Sequence, residues 1–144
     1  MLFGSFNHTL DNKNRLVIPA RFRKGLSSRL YLLKGYDGCL SVFDEKSFEL
    51  YIQKINEYPF EKKDSRDVIR IALSSVVELE VDAKNRIQIP LEIIDKYSMS
   101  NDLMIVGVID HIEIWNLDKW NKYLDENSNQ FEEKAEKLLG DKNV

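Results

Sequence analysis

The chain has one cysteine, Cys39, in 144 residues, so no disulfide forms within it, and a lone thiol suits a reducing compartment. Histidine is almost as scarce. His8 and His111 are the two, and neither stands at ligand spacing from the other or from Cys39, so no structural or catalytic metal site is expected. The longest apolar run, Leu103 to Ile109, falls far short of the about 20 residues a membrane helix needs. No apolar leader opens the sequence, and the expected setting is the cytoplasm. Glycine is thin: six residues, never grouped as a phosphate-cradling loop or around a serine nucleophile. These gaps remove the common enzyme signatures and leave no cofactor to expect.

What the chain does have is a motif written twice. Leu10-Asp11-Asn12-Lys13-Asn14-Arg15-Leu16-Val17-Ile18-Pro19 returns as Val81-Asp82-Ala83-Lys84-Asn85-Arg86-Ile87-Gln88-Ile89-Pro90. Asp, Lys, Asn, Arg, Ile and Pro keep their offsets, and aliphatic residues fill the flanks. An internal repeat of this kind sets the fold before any single element does. Phe6, His8 and Leu10 alternate with polar residues, as do Val77, Leu79 and Val81, which predicts a half-buried strand entering each motif. Leu16-Val17-Ile18 and Ile87-Gln88-Ile89 read as strands leaving it.

Four polar residues between the strands exceed a two-residue hairpin turn. Asp11 and Asp82 suit the loop-shaping position, because an Asp carboxylate accepts N–H groups two or more residues on. Asn14 and Asn85 suit a left-handed position, since Asn tolerates positive φ better than other non-glycine residues. Asn12, Lys13 and Arg15 in one loop, and Lys84 and Arg86 in the other, would then form a doubled basic surface. A plainer alternative is that Asp11 pairs with Arg15, and Asp82 with Arg86, as structural ion pairs and nothing more. The residues alone leave both open. One Asp per half also suggests a two-carboxylate dyad sharing a proton. Lys and Arg within four residues of each Asp keep both ionised, so catalysis is not expected.

The doubled motif, the opening Met1-Leu2-Phe3-Gly4 with His8-Thr9-Leu10-Asp11, and Ile18-Pro19-Ala20-Arg21-Phe22-Arg23 closely resemble the MraZ family of bacterial transcriptional regulators. The resemblance covers nearly the whole chain. It implies two tandem swapped-hairpin units of the AbrB/SpoVT type, residues 1–75 and 76–144, in a mainly β fold with packed helices (α+β) that forms a pseudo-dimeric barrel. It also implies double-stranded DNA as partner, through short direct repeats in the promoter of the family's own division and cell-wall operon. DNA-binding residues would be Asn12, Lys13, Asn14, Arg15, Lys84, Asn85 and Arg86. A ring-like homo-oligomer and association with the nucleoid follow from the same resemblance. One departure is that the family usually carries Gly where Asn14 and Asn85 stand.

Charge is unevenly placed. Residues 1–34 hold seven basic side chains against the single acid Asp11, a net of +6, which leaves −9 on the remainder of a chain whose total is −3. Phosphate responds to the local field, not the total. Arg21, Arg23, Lys24 and Arg29 surround the first motif, whereas Glu78, Glu80 and Glu92 flank the second; the first loop is therefore expected to dominate. Elsewhere, Asp44 caps a helix with Phe48, Tyr51, Ile52 and Ile55 on one side, and Pro59 ends it. A charged connector over 60–66 precedes a helix from about Asp67 that buries Val68, Ile69, Ala72 and Leu73. The last helix, about Asp118 to Leu139, aligns Trp120, Leu124, Phe131, Ala135, Leu138 and Leu139, against its own unit or a neighbouring subunit. Two rival functions remain: a DNA-binding antitoxin on the same kind of hairpin, and an oligomeric scaffold whose loops bind protein. The Lys-x-Arg loops favour DNA, since a protein-binding surface would expose aromatics there.

Overall fold

The computed structural model describes residues 1–142; Asn143 and Val144, the end of the second expected unit, lie outside the described residues. In chain order the elements are β1 (Ser5–His8), β2 (Arg15–Val17), α1 (Ala20–Arg23), β3 (Arg29–Lys34), β4 (Leu40–Asp44), α2 (Glu45–Asn56) and α3 (Lys63–Ser74). After these come β5 (Val77–Glu80), β6 (Arg86–Gln88), α4 (Leu91–Tyr97), β7 (Leu103–Gly107), β8 (Ile112–Asn116) and α5 (Leu117–Asn127). A 3-10 turn (Ser128–Gln130) leads into α6 (Phe131–Lys142). The second half thus repeats the first element for element, with the 3-10 turn added between its last two helices.

Six strands form one sheet in the order β1-β7-β8-β4-β3-β5, and β2 with β6 forms a separate two-stranded ribbon. Every pairing is antiparallel. Exchange the two halves and the order reads the same backwards. β1 lies on β7, with Ser5 opposite Val106, and its counterpart β5 lies on β3, with Arg29 opposite Glu80. The strands on either side of each basic loop therefore pair with the other half, not with one another. β4 and β8 join the halves at the centre, Leu40 opposite Ile114. No ladder links the edge strands β1 and β5 among the described residues, so the fold is α+β with antiparallel sheets and no closed barrel is found.

Period-two patterning explains why the halves cannot be pulled apart cheaply. Leu16 and Ile18 point inward from one ribbon strand, Ile87 and Ile89 from the other, and all are wholly or almost wholly buried. They meet Leu30, Leu32, Leu103, Ile105, Ile112 and Ile114 in one apolar cluster drawn from both halves. Phe22 on α1 is fully buried and meets Phe6 edge to face at 5.1 Å. Pro19 stands as the N-cap of that short helix. The N-terminal strap extends the sheet: Leu2 and Ile109 exchange backbone bonds of 2.9 and 2.8 Å. Gly107 permits this crossing, for a Cβ there would lie 2.5 Å from the Phe3 nitrogen.

The aromatic stripes pack half-buried against the strands and stand outside the core cluster; on α2 only Ile55 is buried, and on α5 no residue is. Phe48 stacks on Tyr31 at 4.4 Å, and in the second half Trp120 and Tyr123 close on Trp115 at 5.2 and 5.0 Å. Asp44 caps α2 by accepting the Ser47 N–H at 3.0 Å. Cys39 is buried in the turn before β4, not on the strand, with its thiol donating to the Tyr36 carbonyl at 3.2 Å. One helix departs from expectation. α3 starts at Lys63, because Lys63 pairs with Asp67 one turn on, at 2.9 Å, and Arg66 ties back to the Phe60 and Glu61 carbonyls. It buries only Ala72, while Val68 and Ile71 are 42% and 55% exposed. The C-terminal helix is interrupted at Ser128–Gln130, where short polar side chains compete for backbone bonds. Phe131, Leu138 and Leu139 on α6 stand out in solvent.

Candidate nucleic-acid interface

The two motif loops are the same object built twice. The Asp11 carboxylate accepts the backbone N–H of Lys13 and of Arg15 through one oxygen, both at 2.9 Å. Asp82 does the same for Lys84 and Arg86, again at 2.9 Å. Each Asp N–H then donates to the Arg carbonyl, at 3.0 and 2.9 Å, and each Asn N–H returns to the Asp carbonyl, at 3.1 and 3.0 Å. Asn14 and Asn85 sit at φ of 60° and 62°, the left-handed conformation that Asn adopts at modest cost. Each Asp carboxylate is thus bonded to the backbone of its own loop.

Arg15 and Arg86 do pair with those same carboxylates. The bond runs from Nε to the second Asp oxygen, at 2.7 Å in the first loop and 2.8 Å in the second. A guanidinium has five N–H donors in a fixed fork, and this pairing uses one. The Nη groups of Arg15 and Arg86 make no hydrogen bond among the described residues. The ion-pair and recognition readings are therefore compatible: the carboxylate holds the guanidinium stem and leaves its fork free. Both Arg side chains remain accessible, at 26% and 21%. Asn12, Lys13, Lys84 and Asn85 are exposed, and Asn14 is half-buried.

These bonds set the acidity of the two Asp groups. The Arg15 backbone N–H is the main influence holding Asp11 below its ordinary value of 3.8; desolvation opposes it, and the Arg15 side chain and the Lys13 N–H add to the lowering. For Asp82, partial burial pushes upward, but the Arg86 backbone and side chain and the Lys84 N–H outweigh it, so its carboxyl is also lowered. Each carboxylate is thus ionised and committed to its own loop. A shared-proton dyad would need the reverse.

The ribbon ties the two loops together through the backbone. Arg15 lies opposite Gln88, and Val17 opposite Arg86, so the loops leave from the two ends of a very short ribbon. Ile89 N–H donates to the Asn14 carbonyl at 2.9 Å, and Ile18 N–H to the Asn85 carbonyl at 2.8 Å. One further bond crosses between halves, from the Gln88 amide to the Lys13 carbonyl at 3.0 Å. Gln88 was not among the residues the motif marked out. Its signal in sequence is that it stands where Val17 does in the first copy, one of four positions at which the two decapeptides differ.

The surrounding basic residues are less available than their count suggests. Arg23 turns inward and its Nη1 donates to the Leu26 carbonyl at 2.6 Å, fastening the end of α1. Arg29 pairs with Glu80 at 3.1 Å, and the Arg21 guanidinium covers the Phe3 ring at 4.4 Å. Among the described residues no group of three or more His, Cys, Asp or Glu side chains is placed to hold a metal ion, and no helix is long and apolar enough to cross a membrane.

A chain folded as two intertwined copies, each with one Asp-fastened Lys-x-Arg loop, has close relatives. The profile of the family described as "MraZ protein, putative antitoxin-like" matches it twice, over residues 1–71 and 72–142. The transcriptional regulator MraZ of Limosilactobacillus reuteri (strain DSM 20016) is 38% identical over 138 residues, covering 96% of this chain and 97% of that one. The protein of the same name from Pelotomaculum thermopropionicum is 40% identical over 139 residues, covering 96% of each. That of Natranaerobius thermophilus is 35% identical over 139 residues, covering 96% of this chain and 97% of its own. Two tandem matches and near full-length identity at this level agree with the duplicated architecture: the chain belongs to the MraZ family.

Proposed function

We propose that this protein is a sequence-specific DNA-binding regulator of transcription whose two basic loops read double-stranded DNA. The observation that carries the reading is the pair of guanidinium forks, each fastened at Nε and open at Nη. Arginine meets guanine O6 and N7 with two parallel N–H donors, which an open fork supplies, while Lys13 and Lys84 serve phosphate. Asn12, Asn14 and Asn85 lie beside them as adaptable polar contacts. The units of duplication, 1–75 and 76–144, would act as one body on one duplex.

The target in this reading is a set of short direct repeats in the promoter of the protein's own division and cell-wall operon. Repeats suit an oligomer, since linked sites raise the effective concentration of each loop. The uncovered stripe of Phe131, Leu138 and Leu139 on α6 is the surface by which copies would join in a ring, in the cytoplasm and at the nucleoid. Footprinting on the DNA upstream of the gene tests the proposal. Protection of a repeated element supports it, and protection of none overturns it. The antitoxin reading uses the same α6 stripe to hold a toxin, and it would gain only if a distinct polypeptide copurified in fixed proportion.

A further inference from the structure

Under exchange of halves, Lys13 maps to Lys84, Asn14 to Asn85, Ile18 to Ile89 and Val17 to Gln88. Each backbone bond of the first loop has its mate in the second at nearly the same length. One bond has none. Gln88 donates to the Lys13 carbonyl at 3.0 Å, and the mate of that bond would run from residue 17 to the Lys84 carbonyl. Val17 has no side-chain donor and stands 42% exposed at that place. The first loop is therefore tied across the ribbon at the peptide that joins Lys13 to Asn14, and the second is not.

We infer that Gln88 is a positioning residue for the first loop, supplied by the other half of the chain, which makes the two recognition loops unequal. This rests on the DNA-binding reading above. The peptide held by Gln88 lies between the Lys13 side chain and the left-handed Asn14, one residue before Arg15. Fixing it removes loop freedom that binding would otherwise have to remove, and such pre-ordering raises affinity without any new contact to DNA. The second loop has the same Asp, Lys, Asn and Arg, with Ala83 in place of Asn12, and meets the ordering cost in full. The inequality therefore comes from backbone order, independently of the surrounding charge.

Reciprocal substitutions isolate this. Gln88→Val copies the first half's residue onto β6, and Val17→Gln builds the missing tie; both keep side chains the ribbon already carries. In the free protein, hydrogen exchange at the Asn14 N–H should quicken in Gln88→Val by about two- to tenfold, the range one neutral hydrogen bond supports, with Asn85 unchanged. Val17→Gln should slow Asn85 and leave Asn14 alone. On a labelled duplex of the DNA directly upstream of the gene, at low salt, Gln88→Val should weaken binding by a similar factor and Val17→Gln should strengthen it. The loss in Gln88→Val should vanish in an Arg15→Ala background and persist in Arg86→Ala. Unchanged Asn14 exchange overturns the inference. So does a loss undiminished in Arg15→Ala, which would make Gln88 a DNA contact in its own right. If wild-type protein does not prefer the upstream duplex to a scrambled one, the DNA reading falls, and exchange still decides whether the tie holds the loop.

Discussion

Arg15 and Arg86 are each held by a carboxylate four residues before them, and under the proposed function that arrangement dictates what substitutions there should do. Arg15→Ala should abolish preference for the upstream duplex while circular dichroism stays native, because Asp11 keeps both its backbone partners. Lys13→Ala should instead weaken binding to all sequences and lower the slope of log affinity against log salt by about 1, as removal of one phosphate contact does. Titration on specific and scrambled duplexes at several salt concentrations separates the two. Arg15→Ala should also cost more than Arg86→Ala. The charge pattern in sequence pointed that way, yet Arg29 is neutralised by Glu80 and Arg23 faces inward, so the tie to Gln88 is the stronger ground. Equal losses would mean the loops act as equivalents.

Acidity belongs to the same scale. Asp11 and Asp82 have carboxyls lowered below 3.8 in the folded protein. A lowered folded value means the stabilisation is present above the unfolded value and is lost as pH falls through the folded one. Loop amide protection at Lys13, Arg15, Lys84 and Arg86 should therefore hold at neutral pH and fade together on acidification below 3.8. Exchange measured down that series checks the sign. Protection that fell as pH rose would contradict it.

At the scale of elements, α1 is the shortest helix and yet holds a fully buried ring. Phe22→Ala leaves a cavity between the ribbon and β1, and should destabilise by about 3–5 kcal/mol in urea titration. Elements defined by local rules were legible in the sequence: the Asp-fastened loops, the Asp44 cap, and the aromatic stripes of α2 and α5. Each depends on residues within a turn or two. α3 was misread because its start depends on Lys63 pairing forward with Asp67 and on Arg66 bonding back to Phe60 and Glu61, in a stretch whose charge resembles a linker. Val68, Ile69, Ala72 and Leu73 were assigned to the core, yet of these only Ala72 is buried. Gln88 was missed for a related reason, since its acceptor lies 75 positions away and no periodicity reports such a pair.

On the whole molecule, exposure of α6 bears on assembly. Leu138→Glu should lower the mass of the wild-type assembly seen by light scattering and weaken binding to spaced repeats more than to a single one. A monomeric wild type would remove the ring from the proposal. The duplication itself was plain in sequence, whereas the exchange of strands between halves was implied only through the resemblance. Identical motifs fit side-by-side domains as well as interlocked ones.

That exchange has a consequence for how the protein comes into being. Ser5 on β1 pairs with Val106 on β7, so the first strand to leave the ribosome waits for a partner about 100 residues behind it. At about 5–20 residues per second, the delay is about 5–20 s. During it the apolar side of the first half has no mate, and an unpaired edge is a template for other chains. A neighbouring ribosome on the same message presents an identical first half, whose motif differs little from the awaited second. Birth is thus the moment when two chains could interlock with each other in place of themselves. Rapid translation through residues 76–107 should favour the self-paired form, and slow codons there should raise the share of chains joined through exchanged halves.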